Sequence, residues 1–445
     1  MRTFIYPVLF LSLSFFSFAI AAKAPMSLFA YQNTAVKGKP SAKNVLLNSA
    51  IKKVEVGQSI DISLPDGTSL NLSVLEKQEM PNQTILVQAT NGDGVQMTLT
   101  IGQKGTFGSI SSEEVSYSLG FTPQTGQFLV NNLDSDSAPV NLSNDMRFPP
   151  DFAEQLERRS LQTRNQASNQ EGVENEKEKQ SGVTGVADIT LLAVYNPEFG
   201  SGFGDAQARI EQAIAFTNQA LNTTGVSAQF RLAAAVEIDF DNSLSVGTLL
   251  DQSTNGVGAF SNLPALRNQF GADMVSVLSF RNDFSANGVA WLNGDNPNFA
   301  FSSIRLSPFC CDAVFAHELG HNLGSGHERD SANPTGDSCD DSFQPGGFTG
   351  FSCGHGVLGN FGTIMSRIRS NATSFNRFSN PNQSCNGLPC GIAQDQTNAA
   401  DNFTSFNTSA FLVEQFRANV NPTDPRLPGN PNDAIISPIL LLLLD

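Results

Sequence analysis

Three of the four histidines of this 445-residue chain lie between residues 317 and 327. His317 and His321 are four residues apart, so on a helix both imidazoles project from one face at a separation that suits a single metal ion. Glu318 directly follows the first of them, and from there a carboxylate can reach a water on the metal without being a ligand itself. This spacing predicts a catalytic zinc site at which Glu318 acts as the general base.

Two further residues complete the predicted site. Gly324 lies three residues after His321 and can end the helix in a left-handed conformation that other residues resist. The chain then turns back and brings His327 to the same ion as a third nitrogen ligand, which leaves the fourth position for water. We therefore predict one catalytic Zn²⁺ held by His317, His321 and His327, with the pKa of its water lowered to about 7. No motif supports a structural Ca²⁺.

A bare H-E-x-x-H sequence can also arise from chance histidines on a surface helix. The chain has only four histidines, and three of them occupy the required positions around the required Glu and Gly, which makes chance a remote explanation. His355, the remaining histidine, is expected to lie in a loop and not to bind the metal.

The stretch from His317 to His327 resembles the metzincin motif of zinc proteases, and Met365, within the sequence Thr-Ile-Met-Ser, resembles the Met-turn that lies beneath the metal in that clan. Among metzincins the chain is most similar to reprolysin-like enzymes of the bacterial peptidyl-Asp metallopeptidase type, over about residues 187–420. The resemblance implies an α/β (α+β) metzincin-like catalytic domain with a mixed twisted sheet and an active-site helix. It also implies protein or peptide substrates.

The chain departs from the family pattern at three points. Glu328 follows the third histidine where reprolysins usually have Asp, and position 367 is Arg where astacin-like and serralysin-like enzymes have a ligating Tyr. Reprolysin prodomains often carry a Cys that blocks the zinc, but the first 309 residues of this chain contain no Cys. A prodomain that acts as an intramolecular inhibitor must therefore use another group or steric cover.

Two arginines follow Met365 closely in the chain. In metzincins this part of the chain forms a wall of the pocket that receives the side chain after the cut bond. In an extended segment Arg367 and Arg369 point to one side, where a guanidinium can pair with a carboxylate in bidentate fashion. This predicts cutting before acidic residues. The alternative is that both arginines face solvent or a structural acid.

Alternating strand and helix patterns surround the predicted site and indicate a mixed α/β domain. The pattern predicts strands at 189–195, 228–238, 274–280 and 299–304, an edge strand at 288–292 and a helix at 205–221. The preceding half shows short alternating runs separated by Asp-Gly and Asn-Gly turns, typical of a small antiparallel β domain.

The composition divides the chain into five segments. Residues 1–22 have the apolar run and small-residue end of a signal peptide, which predicts a secreted protein, and the run is too short for a membrane anchor. Residues 23–150 are predicted as a β-rich prodomain, 151–184 as a charged and polar linker with a processing site such as Arg158-Arg159, and 185–422 as the catalytic domain. The tail, 423–445, ends in an apolar stretch too short to span a bilayer.

The net charge limits the classes of partner, and the cysteines indicate the redox compartment. The net charge of −16 and the pI near 4.6 argue against nucleic acid or an anionic membrane surface as a partner. An even cluster of six cysteines in an exported protein predicts three disulfides, in any of 15 connectivities. Cys385 with Cys390 is the favoured short loop, and a structural zinc site is the rival interpretation.

Two other functions compete with a zinc endopeptidase. One is a catalytically silent metzincin-fold binding or adhesion module, which loss of Glu318 or of a ligand would favour, and none of these residues is lost. The other is a ligand-binding β domain joined to an incidental protease. The complete motif favours the enzyme.

Overall fold

The computed structural model describes residues 24–132, 145–150, 185–309, 312–329, 348–366 and 372–417, apart from positions 38, 81, 113, 114, 284 and 286, together with positions 152, 154 and 339. The predicted signal peptide and apolar tail, and nearly all of the predicted linker, lie outside these residues. Among the helices of the described ranges, none is long and apolar enough to cross a membrane.

A sheet of ten strands, which we call the β domain, accounts for most of residues 24–132. Neighbouring strands are antiparallel except β1 and β4, and their alternating apolar side chains bury a common core. In chain order the strands are β1 (Met26–Ser27), β2 (Phe29–Val36), β3 (Lys39–Leu47), β4 (Ser59–Ser63), β5 (Ser69–Glu79), β6 (Ile85–Thr90), β7 (Gln96–Ile101), β8 (Thr106–Ser111), β9 (Ser116–Thr122) and β10 (Gly126–Asn131).

The second sheet has six strands in the order β11-β15-β16-β14-β12-β13. It is mixed, because β15 runs antiparallel to β16 while the other pairs are parallel. β12 and β14 are apolar almost throughout, as expected of strands that are covered on both faces. The strands are β11 (Met146–Arg147), β12 (Ala187–Tyr195), β13 (Ala228–Glu237), β14 (Met274–Phe280), β15 (Asn287–Trp291) and β16 (Phe301–Leu306).

Helices cover both faces of the second sheet, so alternate residues of β12 enter two different cores. Leu191 packs with one group of helices and Leu192 with the other. The helices are α1 (Pro197–Phe203), α2 (Ala206–Thr224), α3 (Val246–Asn255), α4 (Leu263–Gln269), α5 (Asp312–Asn322) and α6 (Asn402–Val413). α1, α2, α5 and α6 lie on the face of Leu191, and α3 and α4 on the opposite face.

Short strands and two disulfides shape the region after α5. Cys385–Cys390 is the predicted short loop, and Cys339–Cys353 is one of the pairings that the sequence left open. Cys310 and Cys311 lie outside the described residues. The strands are β17 (Gly326–Glu328), β18 (Cys353–Gly354), β19 (Gly356–Val357), β20 (Phe361–Gly362), β21 (Thr373–Ser374), β22 (Ser384–Cys385) and β23 (Leu388–Pro389).

The mixed α/β content predicted from the sequence is confirmed, and the differences have local causes. The predicted helix at 205–221 starts one residue later, because the carboxylate of Asp205 caps it by accepting the N–H of Ala208 at 3.2 Å. The predicted strand at 299–304 shifts to Phe301–Leu306, because Pro297–Phe299 form a turn of 3₁₀ helix. The strand at 288–292 is present as β15, but it is not an edge strand, since β11 pairs with its open side.

Candidate metal centre

α5 carries the first half of the site. His317, Glu318 and His321 lie on this helix and have no exposed surface. The N-terminus of the helix is anchored by Asp312, whose carboxylate lies 2.6 Å from the guanidinium of Arg209 on α2. The helix is therefore fixed at the end where the negative charge of Asp312 also complements the helix dipole.

Gly324 ends the helical turn and reverses the chain. Its φ is +96°, and its N–H donates to the carbonyl of His321 at 2.9 Å. A Cβ here would lie 2.4 Å from the Cβ of Phe348 and 2.8 Å from the carbonyl oxygen of Asn293. Both the left-handed backbone and the close approach require glycine, as the sequence led us to expect.

The reversed chain enters β17, which carries His327. β17 pairs with β18, where the N–H of Gly326 donates to the carbonyl of Ser352 at 2.8 Å. The disulfide from Cys353 to Cys339 lies beside this pairing. His327 is fully buried, and its ring centroid lies 4.8 Å from that of His321.

Two of the histidines have their orientation fixed by backbone carbonyls. Nδ1 of His317 lies 2.8 Å from the carbonyl oxygen of Ile364, and Nδ1 of His321 lies 2.7 Å from that of Ser325. A carbonyl oxygen only accepts, so each Nδ1 carries the hydrogen and each Nε2 keeps its lone pair. Carbonyl partners of this kind orient the ligating imidazoles of metal sites.

The residues fit a divalent transition metal. Nε2 of His317 and Nε2 of His327 are 3.2 Å apart, and the ligand atoms of the three histidines and of Asp145 all lie within 4.8 Å of one another. Nε2 of His321 is buried and makes no hydrogen bond. A buried lone pair without a donor is costly, and convergent imidazole nitrogens are the donor set that zinc prefers.

Glu318 lies against β15. A Cβ on Gly288 would lie 2.4 Å from Oε1 of Glu318, so only glycine leaves room for the carboxylate. Both carboxylate oxygens are buried and make no hydrogen bond. Burial, and then the nearby charge of Asp145, raise the pKa of Glu318 well above its ordinary value.

Met365, the residue of the predicted Met-turn, packs against α5. Its side chain is fully buried, and a Cβ on Gly320 would lie 2.4 Å from its sulfur. The preceding residue, Ile364, supplies the carbonyl that holds His317. Met365 therefore supports α5, while its backbone neighbour orients the imidazole of His317.

Asp145 is the residue that sequence reasoning missed. Its Oδ1 lies 2.9 Å from Nε2 of His327 and 4.0 Å from Nε2 of His321, and its Oδ2 lies 3.4 Å from Nε2 of His317. The side chain is 1 % exposed. It comes from the segment predicted as prodomain, in which no His or Cys suggested chemistry, and nothing distinguishes it in sequence from other Asn-Asp pairs.

β11 holds Asp145 in place. The carbonyl of Asp145 accepts the N–H of Ala290 at 2.9 Å, and the carbonyl of Arg147 accepts that of Leu292 at 2.7 Å. The side chain of Arg147 forms an ion pair with Asp251 on α3. The segment therefore occupies the main-chain donors of β15 beside the metal centre.

Opposite charges and burial compete within the centre. Burial alone would raise the pKa of Asp145, but the neighbouring His327 and His317 hold it well below its ordinary value. Burial lowers the pKa values of His317 and His321, the second strongly. His317 and His321 are thus suited to bind a metal as neutral ligands.

The remaining predicted residues lie elsewhere. Arg367 and Arg369 are outside the described residues, so their orientation stays a prediction. His355 lies between β18 and β19, apart from the three ligands, and burial lowers its pKa. Glu328 is fully buried in β17.

Comparisons with known proteins found similarity mainly in the part of the chain that carries the site. Residues 186–379 match the model of Metallo-peptidase family M12, of the reprolysin kind. The chain is 29 % identical over 266 residues to a Peptidyl-Asp metalloendopeptidase of Pseudomonas aeruginosa, covering 55 % of this chain and 42 % of the relative. It is 28 % identical over 216 residues to one of Stenotrophomonas maltophilia, covering 47 % and 48 %. The chain thus spans less than half the length of these relatives.

A solved structure shows weaker likeness. Metalloproteinase-II from Bacteroides fragilis matches 66 % of this chain and 88 % of its own at 12 % identity, with a TM-score of 0.40. At that score the likeness supports no conclusion about this chain.

The geometry of the centre predicts a metal content that depends on the buried histidines. His321→Gln should weaken metal binding by at least ~100-fold, because one of three nitrogen ligands is lost from a dry site. Elemental analysis after dialysis checks this. His355→Gln is the matched control and should retain one ion per chain, and equal metal content in both variants would contradict the assignment.

Proposed function

We propose that the protein is a zinc-dependent metalloendopeptidase, which is supported by the match of residues 186–379 to the model of Metallo-peptidase family M12. The observation that carries the proposal is the convergence of three buried imidazoles beside a buried, unpartnered Glu318. His317, His321 and His327 hold one Zn²⁺, and protein or peptide chains are the substrates. A silent binding module has no need for an unpartnered carboxylate at this place.

Several residues of the chain have separate roles in the proposed hydrolysis. Bound zinc lowers the pKa of a coordinated water and polarises the scissile carbonyl. Glu318 accepts the proton of the attacking water on a carboxylate oxygen and delivers it to the leaving amine nitrogen. The carbonyls of Ile364 and Ser325 keep two ligands oriented, and burial excludes competing solvent.

We further propose that the described form is latent. The carboxylate of Asp145 lies within 4.0 Å of the Nε2 atoms of all three histidines and would bind the same ion, and β11 covers the edge of β15 beside it. A carboxylate in this position takes the role that the missing prodomain Cys has in reprolysins. Activity then requires that the segment around Asp145 leaves the cleft.

The domain plan follows from this latency. Residues 23–150 are the prodomain, a cut in the linker at 151–184 releases it, and residues 185–422 are the catalytic domain. The signal peptide at 1–22 exports the chain before this cut, which makes the enzyme a secreted zymogen. The many Gln, Asn, Glu and Lys residues of the linker support the site of the cut.

Glu318→Ala should lower turnover of a peptide substrate by about 10²–10⁴-fold, because the attacking water loses its proton acceptor. The metal content should stay near one ion per chain, since no ligand is removed. Kinetics on the linker-cut enzyme, with elemental analysis of the same sample, check both. A fully active Glu318→Ala enzyme would overturn the mechanism.

Asp145→Asn should activate the uncut chain, because a neutral amide is a much weaker metal ligand than a carboxylate of the same shape. We expect at least ~10-fold faster hydrolysis of a short peptide than by the uncut wild type. Electrophoresis after the assay verifies that the chain is intact. Asp239→Asn removes an exposed carboxyl group outside the centre and serves as the control. An uncut Asp145→Asn chain as silent as the wild type would contradict latency through this residue.

We propose that Arg367 and Arg369 favour cutting before Asp or Glu. The names of the relatives agree with such a preference, although the chain covers less than half of each. Mass spectrometry of the fragments from a protein digest should show acidic residues enriched directly after the cut. The enrichment should fall in Arg367→Ala or Arg369→Ala, and a preference for apolar residues that neither substitution changes would refute the pocket.

A further inference from the structure

The β domain docks on α2 through polar contacts. Oγ1 of Thr100 donates to Oε1 of Gln212 at 2.9 Å, and the N–H of Lys104 donates to Oδ2 of Asp205 at 3.0 Å. Phe107 of β8 enters the core of the catalytic domain beside Phe203. The docking surface therefore combines a few specific hydrogen bonds with an apolar contact.

A carboxyl group lies buried within this docking surface. Glu211 on α2 is 9 % exposed, and its Oε1 accepts from Nδ2 of Asn82 in the β domain at 2.9 Å and from Nε2 of Gln207 at 3.2 Å. Its Oε2 is buried and makes no hydrogen bond. An ionised carboxylate in this position would lack half of its hydrogen bonds.

The surrounding charges do not compensate for this burial. Within the described part of the chain, no cation lies within salt-bridge distance of Glu211. Asp205 on the same helix is a like charge, while the residues that approach from the β domain, Asn82 and Thr84, are neutral.

The cations of the neighbouring elements have other partners. Lys77 and Glu79 of β5 pair with each other, and Arg209 pairs with Asp312 of α5. The side chain of Lys104 is exposed, and its backbone N–H contacts Asp205 and not Glu211.

We propose that the docking surface is a pH-sensitive latch, in which the Glu211 carboxyl group between Asn82 and Gln207 must be protonated for the β domain to stay docked. The consequence of the latch is that neutral or alkaline conditions favour release of the β domain. This consequence rests on the proposed role of the β domain as a prodomain. The docking itself is independent of catalysis.

Burial raises the pKa of Glu211 to about 7, against the opposing effect of Gln207, Asn82 and Thr84, and Asp205 adds to the rise. When the domains separate, water reaches the carboxyl and its pKa returns towards the ordinary 4.5. The docked state thus binds the proton more tightly. The stabilisation of the docked state by this proton is fully present below the undocked pKa of 4.5 and is lost as the pH rises through the docked pKa of about 7.

Amide hydrogen exchange of Lys104 measures the latch directly, because its N–H is held only by the contact with Asp205 across the docking surface. The intact chain carries Glu318→Ala so that it cannot cut itself. We expect the protection factor of this amide, corrected for intrinsic exchange, to fall by about one to two orders of magnitude between pH 5 and pH 8. The amide of Leu99, inside β7, should keep its protection and so exclude unfolding of the β domain.

Glu211→Gln should make the protection of Lys104 independent of pH over this range, because the amide imitates the protonated acid. Asp239→Asn removes an exposed carboxyl of the same domain and should keep the wild-type slope. Asn82→Asp places a second carboxyl group against Glu211 and should steepen the loss of Lys104 protection with rising pH. This variant tests the latch if the β domain of Glu211→Gln fails to dock. A wild-type protection that does not change with pH, or an equal fall in Glu211→Gln, would overturn the latch. Because all chains are inactive, these outcomes are separate from any failure of the proposed protease activity.

Discussion

Three buried imidazoles converge so that their ligand atoms lie within 4.8 Å of one another, an arrangement that a divalent cation stabilises. Burial lowers the pKa values of His317 and His321, and backbone carbonyls fix the hydrogens of these two on Nδ1. The surrounding structure meets this constraint. α5 supplies two ligands four residues apart, the glycine turn after it returns the chain, and a short strand pair presents the third.

Under the proposed latency, the same constraint explains how the N-terminal half inhibits the site without a thiol. A cation in the centre attracts any carboxylate that the fold can deliver, and β11 delivers Asp145 by adding a strand to β15. One short segment thus covers both the three histidines and the strand beside them. The contacts of the β domain with α2 involve none of the residues of the proposed metal centre, so docking of the β domain and blocking of the centre are separable physical events.

Local chemistry made the catalytic half predictable. Spacing placed His317 and His321 on one helix face with Glu318 beside them, Gly324 predicted a turn, and apolar runs marked the buried strands to within a few residues. Asp145 was not predictable, because its role depends on a strand pairing between segments some 140 residues apart, and an aspartate in a polar stretch resembles a solvated one. The prediction of β15 as an edge strand was wrong for the same reason, because its pairing with β11 also joins distant segments. Nothing in the sequence singled out Glu211, because its burial depends on contacts with the β domain, such as the hydrogen bond from Asn82.

The central claim, that three histidines and Asp145 share one zinc ion in the intact chain, is tested most directly by a crystal structure of the zinc-loaded, uncut protein with anomalous data across the zinc edge. The account predicts one anomalous peak at about 2.0–2.2 Å from Nε2 of His317, His321 and His327 and from a carboxylate oxygen of Asp145. A peak bound by other residues, or a zinc ion on the histidines with Asp145 turned away from it, would contradict the account.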